Sequence, residues 1–191
     1  MKKIGLIGED PNDTTSIQNL LQNKHKGIFH FKHLLKNKRG YQLDNARTAH
    51  SLKIEFEEFD PHFVLFIRDA DALITEEKKI RKVHEWFEKL NSVVAQKGIL
   101  LINIYELEAL ILADIYTFNK IYGTEIKFSK NVMYQNEPKE LLIQKTSKNR
   151  KKYRESDCPD IFLKLNFDTV TKNCIYFKNF YDLFMHKVDN N

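Results

Sequence analysis

The segment Phe63-Val64-Leu65-Phe66-Ile67-Arg68-Asp69-Ala70-Asp71 decides how this chain folds. Its apolar run has the length and composition of a strand buried on both faces, as in a parallel sheet. It stops abruptly at two aspartates separated by one residue. Acids in that position sit at the carboxyl edge of the sheet, where open α/β folds bind their ligands. Asp69 and Asp71 are therefore read as ligands of a divalent metal. The competing reading is that they cap a helix, since aspartate is common at helix starts.

Working outward, three more strands are expected. Lys3 to Ile7 is short, apolar and ends at Gly8-Glu9-Asp10; Asp13, Thr14 and Thr15 then offer helix-capping groups, and Ile17, Leu20 and Leu21 follow at helical spacing. This is the opening of a βαβ unit. A second strand falls within Gly27 to Leu35, followed by a helix over Asp44 to Phe59 that Pro61 closes. Thr75-Glu76-Glu77 begins the clearest helix, with Ile80, Val83, Phe87, Leu90 and Val94 on one face and Gly98 at its end. Ile99 to Ile104 is a fourth apolar strand that runs into Glu106 and Glu108, and the stretch to Asp114 reads as a buried helix. Beyond Tyr116 the pattern weakens. Tyr122 to Glu137 looks irregular, Pro138 to Gln144 is a short helix, and a helical pair covers Asp160 to Leu165 and Thr169 to Phe184. The expected architecture is α/β, a mostly parallel four-stranded sheet flanked by helices. It divides into an α/β domain over 1–116 and a helical, irregular C-terminal extension over 117–191, packed on it.

Composition narrows the class. With 42% apolar and 30% charged residues in 191, the chain is expected to fold as a globular protein with a substantial core. No apolar run approaches the roughly 20 residues of a membrane span, and the apolar part of the N-terminus is too short for a signal peptide, so a cytoplasmic location and no membrane partner are expected. Cys158 and Cys174 are expected as unpaired thiols. The net charge of +5 agrees with a nucleic-acid partner without requiring one. Its distribution is more telling: six of the ten residues from Lys145 to Arg154 are Lys or Arg. Lys148, Arg150, Lys151, Lys152, Tyr153 and Arg154 are the expected nucleic-acid contacts, weighed against an ordinary solvated face. A second basic cluster runs from Lys24 to Arg39.

Three strand ends thus finish in carboxylates: Glu9 with Asp13, Asp69 with Asp71, and Glu106 with Glu108. In a parallel sheet these ends share one edge. Carboxylates forced together are driven towards their neutral form unless a cation joins them, and hard oxygen donors favour Mg²⁺ or Mn²⁺. A cluster of this size has room for two ions, the arrangement that stabilises attacking and leaving oxygens in phosphodiester cleavage.

A glutamate after the first strand and Asp-x-Asp after a later one resemble the Toprim fold. The Glu9-x-x-x-Asp13 spacing resembles the version in OLD-type nucleases. Glu106-Leu107-Glu108-Ala109-Leu110-Ile111-Leu112-Ala113-Asp114, Pro138-Lys139-Glu140-Leu141-Leu142, the stretch around Lys152-Tyr153-Arg154, and Cys174 to Phe184 are similar to a Toprim-like family of bacterial proteins of the RloB type. The resemblance implies a metal-dependent nuclease of DNA or RNA, an effector of anti-phage defence that works with a separate AAA or ABC-type ATPase, possible as a homo-oligomer. It implies Glu9, Asp69, Asp71 and Glu108 as catalytic residues. Glu9, Asp69 and Asp71 would bind a first ion, and Asp13 with Glu106 or, by better match, Glu108 a second. The chain departs from that family at Leu110, where Trp is usual, and at Cys158-Pro159, where a His-Gly pair is usual. Two other readings compete: a non-catalytic module binding nucleic acid or an ATPase, and a phosphoacceptor receiver-like domain. A receiver needs Ser or Thr after the fourth strand and Lys after a fifth. No phosphate-binding glycine loop is present.

Overall fold

The computed structural model describes residues 1–38, 40–128 and 131–190. Four strands, β1 (Lys2–Gly8), β2 (Phe29–His33), β3 (Phe63–Asp69) and β4 (Gly98–Asn103), form an all-parallel sheet in the order β2-β1-β3-β4. The apolar runs form strands because both faces are covered. Ile4 to Ile7 and Phe63 to Ile67 are buried without interruption, as a parallel sheet between helical layers requires.

Helices α1 (Pro11–Lys24), α2 (Ala46–Phe59) and α3 (Glu77–Val93) make the crossovers. The rest of the chain forms α4 (Ala109–Ala113), α5 (Ile115–Tyr122), α6 (Pro138–Thr146), α7 (Cys158–Phe162), α8 (Phe167–Asn173) and α9 (Ile175–Asp189). Alternation along the strands divides the interior in two. Val64 and Phe66 face α2 and α3, where Phe66 meets Trp86 and Phe87 edge-on at 5.9 and 5.3 Å. Such pairs add about 0.5–1.5 kcal/mol each beyond their burial. Leu65 and Ile67 face the other layer, which joins Leu20 of α1 to Phe177 and Phe184 of α9.

The C-terminal helix α9 therefore shares one of the sheet's two covering layers with α1, and a boundary drawn after residue 116 falls inside α5. The sequence also misplaced several ends. Thr75 does not cap α3; the helix starts at Glu77, and the Glu76 carboxylate instead accepts the Leu73 N–H at 3.0 Å. Gly98 does not end α3 but begins β4. A Cβ there would lie 2.4 Å from Asn91 Oδ1 and 2.9 Å from Phe87 Cε2. The buried helix expected from Glu106 begins only at Ala109. Arg39 of the second basic cluster lies outside the described residues. Lys24 and Lys32 of that cluster pair with Asp168 (2.7 Å) and Glu58 (3.8 Å). Both cysteines are free and buried. Among the described residues no helix is long and apolar enough to cross a membrane.

Candidate metal pocket at the carboxyl edge of the sheet

Adjacent parallel strands that end together bring their following loops together. β1 pairs with β2 on one side and β3 on the other, so the chain leaves β1 and β3 at the point where the winding reverses. Gly8 lets α1 approach this point: a Cβ there would meet Thr14 Cγ2 at 2.7 Å. Beyond β3 and β4 the backbones stay zipped. Ala70 N–H donates to Asn103 O (2.9 Å), Asp71 N–H to Tyr105 O (3.0 Å), and Tyr105 N–H to Ala72 O (2.9 Å). Asp71 (φ 47°) and Tyr105 (φ 60°) are both left-handed there, a conformation that costs a bulky residue such as tyrosine about 1–3 kcal/mol. Strain of this kind persists only where surrounding bonds enforce it.

These loops and the start of α1 enclose a cavity of about 320 Å³ whose wall includes Glu9, Asp13, Asp69, Asp71, Glu106 and Glu108. All six acids singled out from the sequence line it. They differ in what they touch. Glu9 is held by Arg68, whose Nε lies 2.8 Å from Glu9 Oε1 and whose terminal nitrogens grip Asp44 at 2.8 and 3.2 Å. The guanidinium stacks on Trp86, 4.5 Å from its ring centre. Glu106 is paired with Lys139 at 3.3 Å and also accepts the Lys139 backbone N–H. Asp13 serves the helix: its Oδ2 accepts the Asp10 N–H (3.2 Å) while Asp10 caps Asn12 (2.8 Å), a reciprocal capping box. The capping role foreseen as the alternative for such acids is thus present at Asp13. Asp71 is exposed at the mouth. Asp69 accepts from Asn103 Nδ2 at 2.9 Å, and the other amide atom, Oδ1, is buried without a protein partner. Glu108 is 3% exposed and accepts the Tyr153 hydroxyl at 2.7 Å.

The electrostatics follow. Burial, then repulsion from Asp13, Glu108 and Glu9, pushes the Asp69 carboxyl well above the usual range, against the Asn103 bond. Asp13 rises to about 7, through burial and then Asp10, with Glu108 and Glu9 adding. Glu108 and Glu106 are raised chiefly by burial, opposed by the Tyr153 bond at the first and by Lys139 at the second. Glu9 is raised by burial against the pull of Arg68. Among the described residues no three His, Cys, Asp or Glu side chains already stand close enough to hold a metal ion. The donors nevertheless suit one. They are hard oxygens; Asp13 and Glu108 raise the charging cost of Asp69, and Glu108 raises that of Asp13. Among the described residues none of the three is within ion-pairing distance of a lysine or arginine, although Lys139 lowers the cost at Glu108 from further away.

The basic segment divides. Lys148, Arg150, Lys151, Lys152 and Arg154 are exposed, and Lys151 lies over the Tyr122 ring at 4.7 Å. Tyr153 is not with them. It is 3% exposed, its ring against Phe118 and Tyr122, and so cannot meet a phosphate. The sequence reading also missed a second cavity of about 450 Å³. It shares Glu9, Asp69 and Asp71 with the first and adds Arg68, Lys79 and Lys82. A larger cavity, about 700 Å³ beside Leu141 and Lys145 of α6, contains none of the six acids.

Comparison with protein-family models, with curated proteins and with solved structures gives no match to this chain. Any functional reading therefore stands on the pocket itself and on the residues quoted above. Among the described residues the sheet has four strands, whereas the receiver-like alternative calls for a lysine after a fifth.

Proposed function

We propose that the chain is a divalent-metal-dependent nuclease that uses Mg²⁺ or Mn²⁺ in the acid-lined pocket. One observation carries this: the six carboxylates singled out from the sequence line one cavity, and among the described residues Asp13, Asp69 and Glu108 have no ion-pair partner. Lys139 in the same wall is paired with Glu106 and eases Glu108 only from a distance. Asp69 with Asp13 and Glu108 would hold the ion, with Glu9 and Asp71 within the same wall. A bound ion would supply an activated water and neutralise charge developing on a phosphodiester. The protein would do the rest. Lys82 in the adjoining cavity would seat a neighbouring phosphate, and the exposed Lys148 to Arg154 segment would draw in the polyanion. On the resemblance to Toprim-like proteins, it would serve anti-phage defence beside a separate ATPase.

Titration calorimetry with Mn²⁺, followed by cleavage of single- and double-stranded DNA and RNA, tests the proposal. The expected result is saturable binding, plus cleavage that Asp69→Asn abolishes. Absence of binding at millimolar Mn²⁺ would remove the reading. It would favour the non-catalytic module, which the Arg68–Glu9 and Lys139–Glu106 pairs support by neutralising part of the wall.

A further inference from the structure

Tyr153 links the exposed basic segment to the acid pocket. Around Tyr153 the backbone is extended, with Arg154 at φ −136° and ψ 149°, so successive side chains point to opposite sides. Lys152 and Arg154 face solvent and Tyr153 turns inward. Its position is over-determined. Its N–H donates to Thr146 Oγ1 at 2.9 Å, and its ring lies 5.8 Å from Phe118 and 6.0 Å from Tyr122. The hydroxyl donates to Glu108 Oε1 at 2.7 Å and lies 3.1 Å from Cys158 Sγ. Both Glu108 and Cys158 line the acid pocket.

We propose that Tyr153 is a positioning residue: it fixes Oε1 of Glu108 and leaves Oε2 to a divalent cation in the pocket. The inference rests on the metal reading above and deepens it. A buried tyrosine needs some acceptor for its hydroxyl, so the bond alone would be explained by packing. Three features go further. The acceptor is a carboxylate of the pocket wall, the hydroxyl's contacts above both lie on residues of that wall, and the residue is fixed at its backbone by Thr146 and at its ring by two aromatic neighbours. A carboxylate held in this way presents its free oxygen in one direction, which is what metal ligation requires of its supporting groups.

The test compares two tyrosines. Tyr122 is also buried and also donates a 2.7 Å bond to a carboxylate, Asp157, which does not line the pocket. Tyr153→Phe and Tyr122→Phe each remove one hydroxyl, so a merely structural role predicts the same outcome for both. Mn²⁺ affinity by calorimetry and the metal-free unfolding midpoint are measured for each. The expected result is a drop in affinity of about 10- to 100-fold for Tyr153→Phe and none for Tyr122→Phe. In a Glu108→Gln background, Tyr153→Phe should cause no further drop; a further drop of equal size would show that Tyr153 acts elsewhere and overturn the assignment. Unchanged affinity in Tyr153→Phe also overturns it while leaving the metal reading standing, whereas a wild-type protein that binds no Mn²⁺ ends both. Tyr153→Met is the second donor-free variant should the phenylalanine not fold.

Discussion

The two ends of the acid pocket and its middle are built from the same residue types and balanced in opposite ways. At one end Glu9 lies against Arg68, and at the other Glu106 lies against Lys139. Between them Asp13 and Glu108 raise the pKa of Asp69, and the donors these three meet among the described residues are neutral, the Asp10 N–H, the Asn103 amide and the Tyr153 hydroxyl foremost. The ends are complete as folded. The middle carries a charge deficit, and the contrast tells where a cation would have most to gain.

The largest break in this contrast should come from its centre. Asp69→Asn should abolish Mn²⁺ binding and metal-dependent cleavage while leaving the metal-free fold at least as stable, because an unfavourable buried carboxylate is removed. Calorimetry beside thermal unfolding without metal checks both halves. A variant at the ends should behave differently. Arg68→Ala is expected to cost about 1–3 kcal/mol of stability, since Glu9 and Asp44 lose their shared partner in a half-buried setting. Urea unfolding measures it, and a gain in stability would show that the ends are not balanced as described.

Proton linkage sharpens the difference. Asp13 is raised to about 7 from an unfolded value near 3.8, so the folded metal-free protein binds the extra proton between those values. Its stabilising contribution is complete below about 4 and is lost as pH rises through about 7. Metal-free unfolding midpoints should therefore fall across that window, and saturating Mg²⁺ should flatten the fall, because the ion replaces the proton. The smallest effect belongs to the exposed segment. Lys148→Ala and Arg150→Ala should change stability by less than about 0.5 kcal/mol. Each should lower the slope of log affinity for nucleic acid against log salt by about 1, read by fluorescence anisotropy.

Much of the fold was legible because a strand buried on both faces appears as an apolar run, as at Ile4 to Ile7 and Phe63 to Ile67. The edge strand β2 was fainter since His30 and Lys32 interrupt it. The six pocket acids were legible through parallel topology alone: strand ends that share an edge must converge. Their division into paired and unpaired was not, because Arg68 and Lys139 reach them through side-chain geometry that spacing does not encode. Tyr153 was misread for a related reason. Within a run of cations it resembles a surface aromatic, and only the extended backbone reveals that it turns inward. The C-terminal helices were expected as an extension packed on the α/β domain, and nothing in their own sequence states which face of the sheet α9 covers.

The capping box at Asp10 and Asp13 has one more consequence. It begins a 14-residue helix at the rim of the pocket, and the aligned peptide dipoles leave roughly half a positive charge at that end. Unlike a lysine, this half charge cannot swing away, be acetylated or be titrated off. It is a permanent, immobile counter-charge on the rim of an acidic cavity. On the metal reading proposed above, it would let the chain complete its fold first and load or exchange a cation afterwards, so that losing the ion would empty a site without dismantling the protein around it.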